Sequence, residues 1–216
     1  MSRTHVLGLL AFALLIVGFG LAGATPKLGA SSDAVTSYVT RSNAQTWTGV
    51  YLEVLGKVLF IVLAARLWAV LRHAEGDAAW LSTTALAAAL TGVVVILAAD
   101  FTSSSAAFYA GRRGLDPAIV GALYDVQQFA DLFFGAVNVV FFATVAVLVL
   151  RRNALPTWLG WMAGVVAAAL VVTVPFGPGD SMEVPHFLAF LWLVAVSVLM
   201  IARRNTLSGT ATGSSV

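Results

Sequence analysis

The stretch TGVYLEVLGKVLFIVLAARLWAVL, residues 48–71, is apolar along most of its length, yet it carries Glu53, Lys57 and Arg66. A helix needs about 20 mostly apolar residues to cross a hydrocarbon core about 30 Å thick. Backbone polar groups cannot go unpaired in lipid, so a crossing segment of this kind must be helical. The stretch therefore points to an all-α membrane fold. Two of its charges, Glu53 and Lys57, raise the question of function.

Composition extends the same reading to the whole chain. Of 216 residues, 60% are hydrophobic and 10% charged, against roughly 25% charged in soluble domains. A net charge of +2 with scattered basic residues gives no footprint for nucleic acid. There are no cysteines, which excludes disulfides, thiol catalysis and cysteine-based metal sites.

Six apolar runs are readable, at about 6–24, 48–71, 79–100, 120–150, 156–176 and 184–202. They predict one domain, 1–204, built as a polytopic bundle of six transmembrane helices. A polar tail, 205–216, is expected to be disordered. Asp77 is the expected cap of the third run, and Asp116 with Pro117 opens the fourth. Asn153 and Pro156 separate the fourth from the fifth. From Pro117 to Leu150 the fourth run would extend roughly 50 Å, so its first turns should rise above the membrane or bend along it.

An even number of spans puts both termini on one side. That side holds Arg3, Arg72, Arg151, Arg152, Arg203 and Arg204, and the other holds Lys27, Arg41, Arg112 and Arg113. The richer side is expected to be cytoplasmic. The alternative is a cleaved signal peptide ending near LAGATP, 21–26, which would leave five spans. The loop 25–46 places Val35, Tyr38 and Val39 on one helical face, the pattern of a short helix resting on the outer leaflet.

The charges fall in one layer. Nineteen residues separate Glu53 from Arg72, roughly 28 Å of helix rise, so Glu53 belongs just below the outer interface. Similar sums place Asp100, Asp131 and His186 in the outer third. On the fourth run, Tyr124, Gln127, Asp131, Gly135 and Asn138 are spaced 3, 4, 4 and 3, which is one helical face. An ionised group facing lipid is costly, so these faces should turn inward. The expected result is an outward-opening pocket walled by the second and fourth runs, with Asp100 and His186 at its rim. Against this stands a plainer use. Glu53 and Lys57 are four apart and can pair with each other, while Gln127, Asp131 and Asn138 can serve as polar glue between helices. Gly160 and Gly164 have the GxxxG spacing of close helix packing.

Catalytic chemistry finds less support. One histidine among Glu53, Asp100 and Asp131 is a poor set for zinc, and no H-x-x-x-H is present. The serines of TSSSA, 102–106, sit in an expected outer loop without a G-x-S-x-G frame. Neither metal nor cofactor is expected.

The segment FADLFFGAVNVVFFATVAVLVLRRNALPTWLGW, 129–161, with RGLDPA at 113–118, resembles a family of uncharacterised bacterial six-span integral membrane proteins, described as a domain of unknown function. The resemblance implies six spans in a bacterial inner membrane and supplies no activity. Members of that family often carry a histidine near the top of the fourth helix, where this chain has Tyr124, Asp125 and Gln128.

The leading functional expectation is an outward-facing pocket for a small polar or ionic ligand, tied to transport or sensing. Glu53, Lys57, Asp131 and His186 are its principal residues, with Asp100, Gln127, Tyr124 and Asn138 around them. The alternative is a structural or accessory membrane protein whose intramembrane polar residues only pack helices or a partner; membrane lipid and a protein partner or oligomer are the expected partners. A membrane-embedded hydrolase is third.

Overall fold

The computed structural model of the chain describes residues 6–41, 44–176 and 180–210. Every regular element among them is helical. The elements are α1 (Val6–Ala22), α2 (Ser32–Arg41), α3 (Ala44–Glu75), α4 (Trp80–Ala99), α5 (Ser105–Arg112), α6 (Pro117–Arg152), α7 (Thr157–Thr173) and α8 (Asp180–Thr210). The last helix runs on through residues 205–210, past the boundary that composition placed before the tail.

Five segments are long and apolar enough to cross a membrane: Ala44–Glu75, Trp80–Arg112, Pro117–Arg152, Thr157–Phe176 and Glu183–Ala202. A sixth apolar helix, α1, is shorter at 17 residues. Large apolar side chains such as Phe101, Phe133, Trp161 and Phe176 lie on the outside of the bundle. A soluble domain would bury a contiguous apolar exterior of this kind, whereas lipid solvates it. The chain is a helical membrane bundle.

Each long helix packs against the next, α1 on α3, α3 on α4, α4 on α6, α6 on α7 and α7 on α8, and α8 returns to α1. Lipid gives helices little hydrophobic reason to associate, so close packing and internal polar bonds must hold them. The tightest seam joins α1 to α3. A Cβ added at Gly49 would lie 2.5 Å from the Ala22 backbone nitrogen, and one at Gly18 would lie 2.8 Å from the Gly49 oxygen. Gly56 is held against α1 in the same way, 2.8 Å from the Ala11 oxygen. Only hydrogen fits at these positions, and the two backbones touch.

The GxxxG pair on α7 behaves unequally. A Cβ at Gly160 would meet Leu150 and Val149 at 2.9 Å, while one at Gly164 would meet only Ala146, at 3.9 Å. Opposite, Trp192 of α8 is fully buried against Phe141 and Phe142, edge to face at 6.1 and 5.3 Å. Its indole N–H donates to the Leu159 carbonyl at 2.8 Å, which meets the need of a buried polar hydrogen and ties α8 to α7.

Three local expectations change. Asp77 does not cap α4. Glu75, at the end of α3, turns back and accepts from the N–H groups of Leu81 (2.9 Å) and Ser82 (2.8 Å). Ala79 adopts a left-handed conformation, φ 43°, to make that turn. Arg152 of α6 adds a favourable charge to the same carboxylate. The third run does not stop at Asp100 either. A π-helical turn, Asp100–Ser104, carries α4 into α5 without a break, so the TSSSA serines are helical rather than in a loop. Lastly, α2 does not lie on lipid. Val35 and Val39 are buried against Ala107, Phe108, Val120 and Tyr124 of α5 and α6. Gly111 and Gly121 leave room for it, since a Cβ at either would come within 3 Å of Val39 or Ser32. The upper turns of the 36-residue α6 are thus covered by protein. Asp116 and Pro117 start that helix as expected, Asp116 accepting from Ala118 N–H at 2.8 Å.

The seam makes a direct prediction. G49A will cost about 1–3 kcal/mol, because a methyl group cannot displace backbone. G164A will be neutral or stabilising by up to about 1 kcal/mol through helix propensity. Thermal unfolding of the two variants in one detergent checks the contrast, and equal midpoints would contradict it.

Candidate functional site

Glu53 and Lys57 sit one turn apart on α3, on the side turned to α1 and α4. Gly18 makes this placement possible, because a Cβ there would lie 2.7 Å from the Glu53 Cγ. Lys57 Nζ donates to Asp100 Oδ2 at 2.6 Å and stands 3.8 Å from Glu53 Oε2. The side chains of Lys57, Glu53 and Asp100 keep 17%, 14% and 15% of their exposure. They are withdrawn from solvent but not sealed.

Asp100 owes its position to the π-turn. The Ser105 N–H reaches back five residues to the Asp100 carbonyl, and the Ser105 hydroxyl donates to it at 3.1 Å. The Thr102 hydroxyl donates to the Ala98 carbonyl at 2.7 Å. Hydroxyls that compete for helix carbonyls make a widened turn tolerable, and such turns recur where a helix carries function.

From α6, Asp131 is close enough to feel the charges of both Lys57 and Asp100. Two carboxylates, Glu53 and Asp100, thus stand within 4 Å of one ammonium, and Asp131 adds its charge from farther off. Above them, the buried Tyr124 hydroxyl is within hydrogen-bonding reach of Thr25 and Gln128. Its ring meets Tyr38 of α2 at 6.2 Å. Burial, and after it the Glu53 carboxylate, hold the Tyr38 phenol above its ordinary value, so it stays protonated across the physiological range.

Tyr38 also lines an open cleft of about 530 Å³ between the α1–α2 connection, α2 and the first turn of α3. Thr25, Ser37, Arg41 and Thr46 supply its polar wall. The cleft and the charged cluster thus share Tyr38, and through Tyr124 they share Thr25.

Not all the expected residues join this arrangement. Glu53, Lys57 and Asp100 come together, with Asp131 and Tyr124 beside them. Asp100 is a central member rather than a rim residue. Gln127 and Asn138 are half-buried on α6 and make no hydrogen bond or ion pair among the described residues. His186 is apart. Its ring stacks at a tilt on Phe134, 5.8 Å away, and its buried Nε2 has no hydrogen-bond partner among the described residues. No set of three metal-ligating side chains gathers among the described residues. Sequence reasoning missed Tyr38 and Thr25 as neighbours of the cluster. The signal was the Val35–Tyr38–Val39 face, which was assigned to lipid.

The arrangement has an excess of acceptors held in a medium that screens charge poorly. It can bind a cation or a strong hydrogen-bond donor, or take up protons. Removing its one ammonium should therefore hurt more than removing a carboxylate. K57M will destabilise the protein by about 3–5 kcal/mol, because it leaves buried carboxylates uncompensated. The triple variant K57M/E53Q/D100N will recover most of that loss. Unfolding midpoints of the single and triple variants check the order, and a K57M protein as stable as the parent would show that the pair is idle. Compared with models of protein families, with curated proteins and with solved structures, the chain matches none of them.

Proposed function

We propose that this chain is a six-span protein of a bacterial cytoplasmic membrane whose outward end binds a small polar or ionic ligand, in the service of transport or sensing. The observation that carries the reading is the withdrawn Lys57 shared by two carboxylates, Glu53 and Asp100, with the charge of Asp131 farther off and an open cleft lined by Tyr38 nearby.

Several features support the topology. At 17 residues, α1 would rise about 25 Å. That is short for a crossing, yet α1 is seamed to α3 along its length and walls Glu53 off from the exterior. Losing it as a signal peptide would uncover that carboxylate to lipid. By sequence, the side of Arg3, Arg72, Arg151, Arg152, Arg203 and Arg204 outnumbers that of Lys27, Arg41, Arg112 and Arg113 by six to four, and Trp80, Trp158 and Trp161 stand exposed near Arg72 and Arg151. Arginine-rich ends belong in the cytoplasm and tryptophans at the interface. With an even number of crossings, both termini are cytoplasmic. The resemblance of residues 113–161 to uncharacterised bacterial six-span proteins agrees with this count and with the choice of membrane.

A second reading has its own support. The Lys57–Asp100 contact, at 2.6 Å, satisfies the lysine within the chain. In that case the cluster is polar glue, and the protein is an accessory subunit that binds lipid or a partner protein.

The absence of cysteine allows a clean decision. Single cysteines at Glu53, Lys57 and Asp131 are labelled in intact cells with a membrane-impermeant thiol reagent. Val58, next to Lys57 and 43% exposed on the apolar exterior, is the control. The pocket reading expects rapid labelling at the three sites and none at Val58. Protection of all three, with normal labelling of a cysteine at Thr46 in the cleft, would discard the pocket in favour of packing.

A further inference from the structure

We infer that the cleft beside α2 is a site for a small monocarboxylate, a ligand with one negative charge on a compact apolar body, held by Arg41. The inference rests on the reading above, which it deepens by naming the ligand class.

The face of α2 is the first argument. Ala34, Ser37, Tyr38 and Arg41 all line the cleft, and their spacing of 3, 1 and 3 is that of one helical face. Val35 and Val39 turn to a different side, into the core shared with α5 and α6. One side of α2 therefore packs and another walls the cleft. Alanines form much of that wall and leave a space of about 530 Å³. Sites of this size hold small organic molecules, and a bare ion would leave it nearly empty. Alanines with Pro26 suit an apolar body.

Charge is the second argument. Among the described residues Arg41 is the one charged group on the wall, and no carboxylate lines it. Arg41 is exposed and makes no hydrogen bond or ion pair among the described residues. Lys27, beside Pro26, is engaged by Glu183 at 3.3 Å. Burial, and after it Glu53, hold the Tyr38 phenol above its ordinary value, so Tyr38 brings a neutral hydroxyl to the wall and not a negative charge. A guanidinium offers a planar fork that matches a carboxylate with two parallel hydrogen bonds. The Ser37 hydroxyl, one turn before Arg41 on the same face, adds a donor. One positive charge balances one negative charge, whereas a dianion would stay half compensated.

Position is the third argument. Apart from Thr46, the lining residues lie outside every membrane-crossing segment. The cleft belongs to the aqueous end of the bundle, which favours a water-borne acid over a lipid.

The test uses the full chain purified in a non-ionic detergent, with binding read by calorimetry. Phenylacetate, phenylacetamide and 2-phenylethylammonium have nearly one shape and are anionic, neutral and cationic. Phenylacetate should bind about tenfold more tightly, or better, than either relative. R41Q should abolish that advantage. A34F, which fills the cleft from an exposed position, should weaken phenylacetate at an unchanged unfolding midpoint. Equal binding of the amide, or an advantage that survives R41Q, would show that Arg41 is no anchor and overturn the inference. Preference for the cation would overturn it in favour of a cation site. Dihexanoylphosphatidylglycerol presents the same single charge on a lipid headgroup. If it binds more tightly than phenylacetate and loses that affinity in R41Q, the ligand is a headgroup and the monocarboxylate is wrong. If no probe binds at millimolar concentration the inference fails. The cysteine labelling separates this failure from that of the pocket reading, because labelling at Glu53, Lys57 and Asp131 would leave the reading standing without the monocarboxylate.

Discussion

The reach of Lys57 from α3 to the π-turn of α4 is the interaction on which the polar interior depends. A lysine side chain in a bundle surrounded by lipid must find an anion, because an isolated ammonium in hydrocarbon is too costly to keep charged. Asp100 supplies that anion at 2.6 Å. The pairing fixes the rotation of α3 against α4, and with it the direction in which Glu53 faces. Asp131 then completes a group in which acid outnumbers base. Lys57 is the one ammonium that makes the approach of Glu53 and Asp100 tolerable, and acid stays in excess around it.

The second constraint is the scarcity of hydrophobic driving force between helices in lipid. This bundle answers it with backbone contact. Gly18, Gly49 and Gly56 let α1 and α3 touch, and the same absence of side chain at Gly18 gives Glu53 its space. Packing and site are therefore not separable on this seam. The residues that bring the helices together also decide which part of the carboxylate stays accessible. At the opposite end, Glu75 does comparable work by capping α4 from the end of α3 and drawing Arg152 of α6 toward it.

Two continuations of transmembrane helices, α5 and the first turns of α6, rise past the bundle and receive α2 between them. This small cap has its own core of Val35, Val39, Ala107, Phe108, Val120 and Tyr124. It brings Tyr38 near a cluster built from helices far away in the chain. Transmembrane charge and a polar cleft are thereby joined in one place, although their residues come from five different elements.

Composition and the apolar runs are enough to name the solvent, the helical class and the course of those runs. Chain length against bilayer thickness and the need to pair every backbone group leave no other answer for runs such as 48–71 and 120–150. The sequence also assigned Glu53, Asp100 and Asp131 to one outer layer, with Lys57 a turn deeper, because rise per residue is constant. Tertiary structure alone decided who touches whom. Depth says nothing of rotation, so the sequence could not tell that His186 turns to Phe134 while Asp100 turns to Lys57. Helical periodicity marked the apolar face of α2 but not its neighbour, since lipid and a glycine-lined groove on α5 and α6 reward the same face. The cap from Glu75 was hidden for a similar reason. It acts across a turn and from the helix before, and local capping patterns do not look that far.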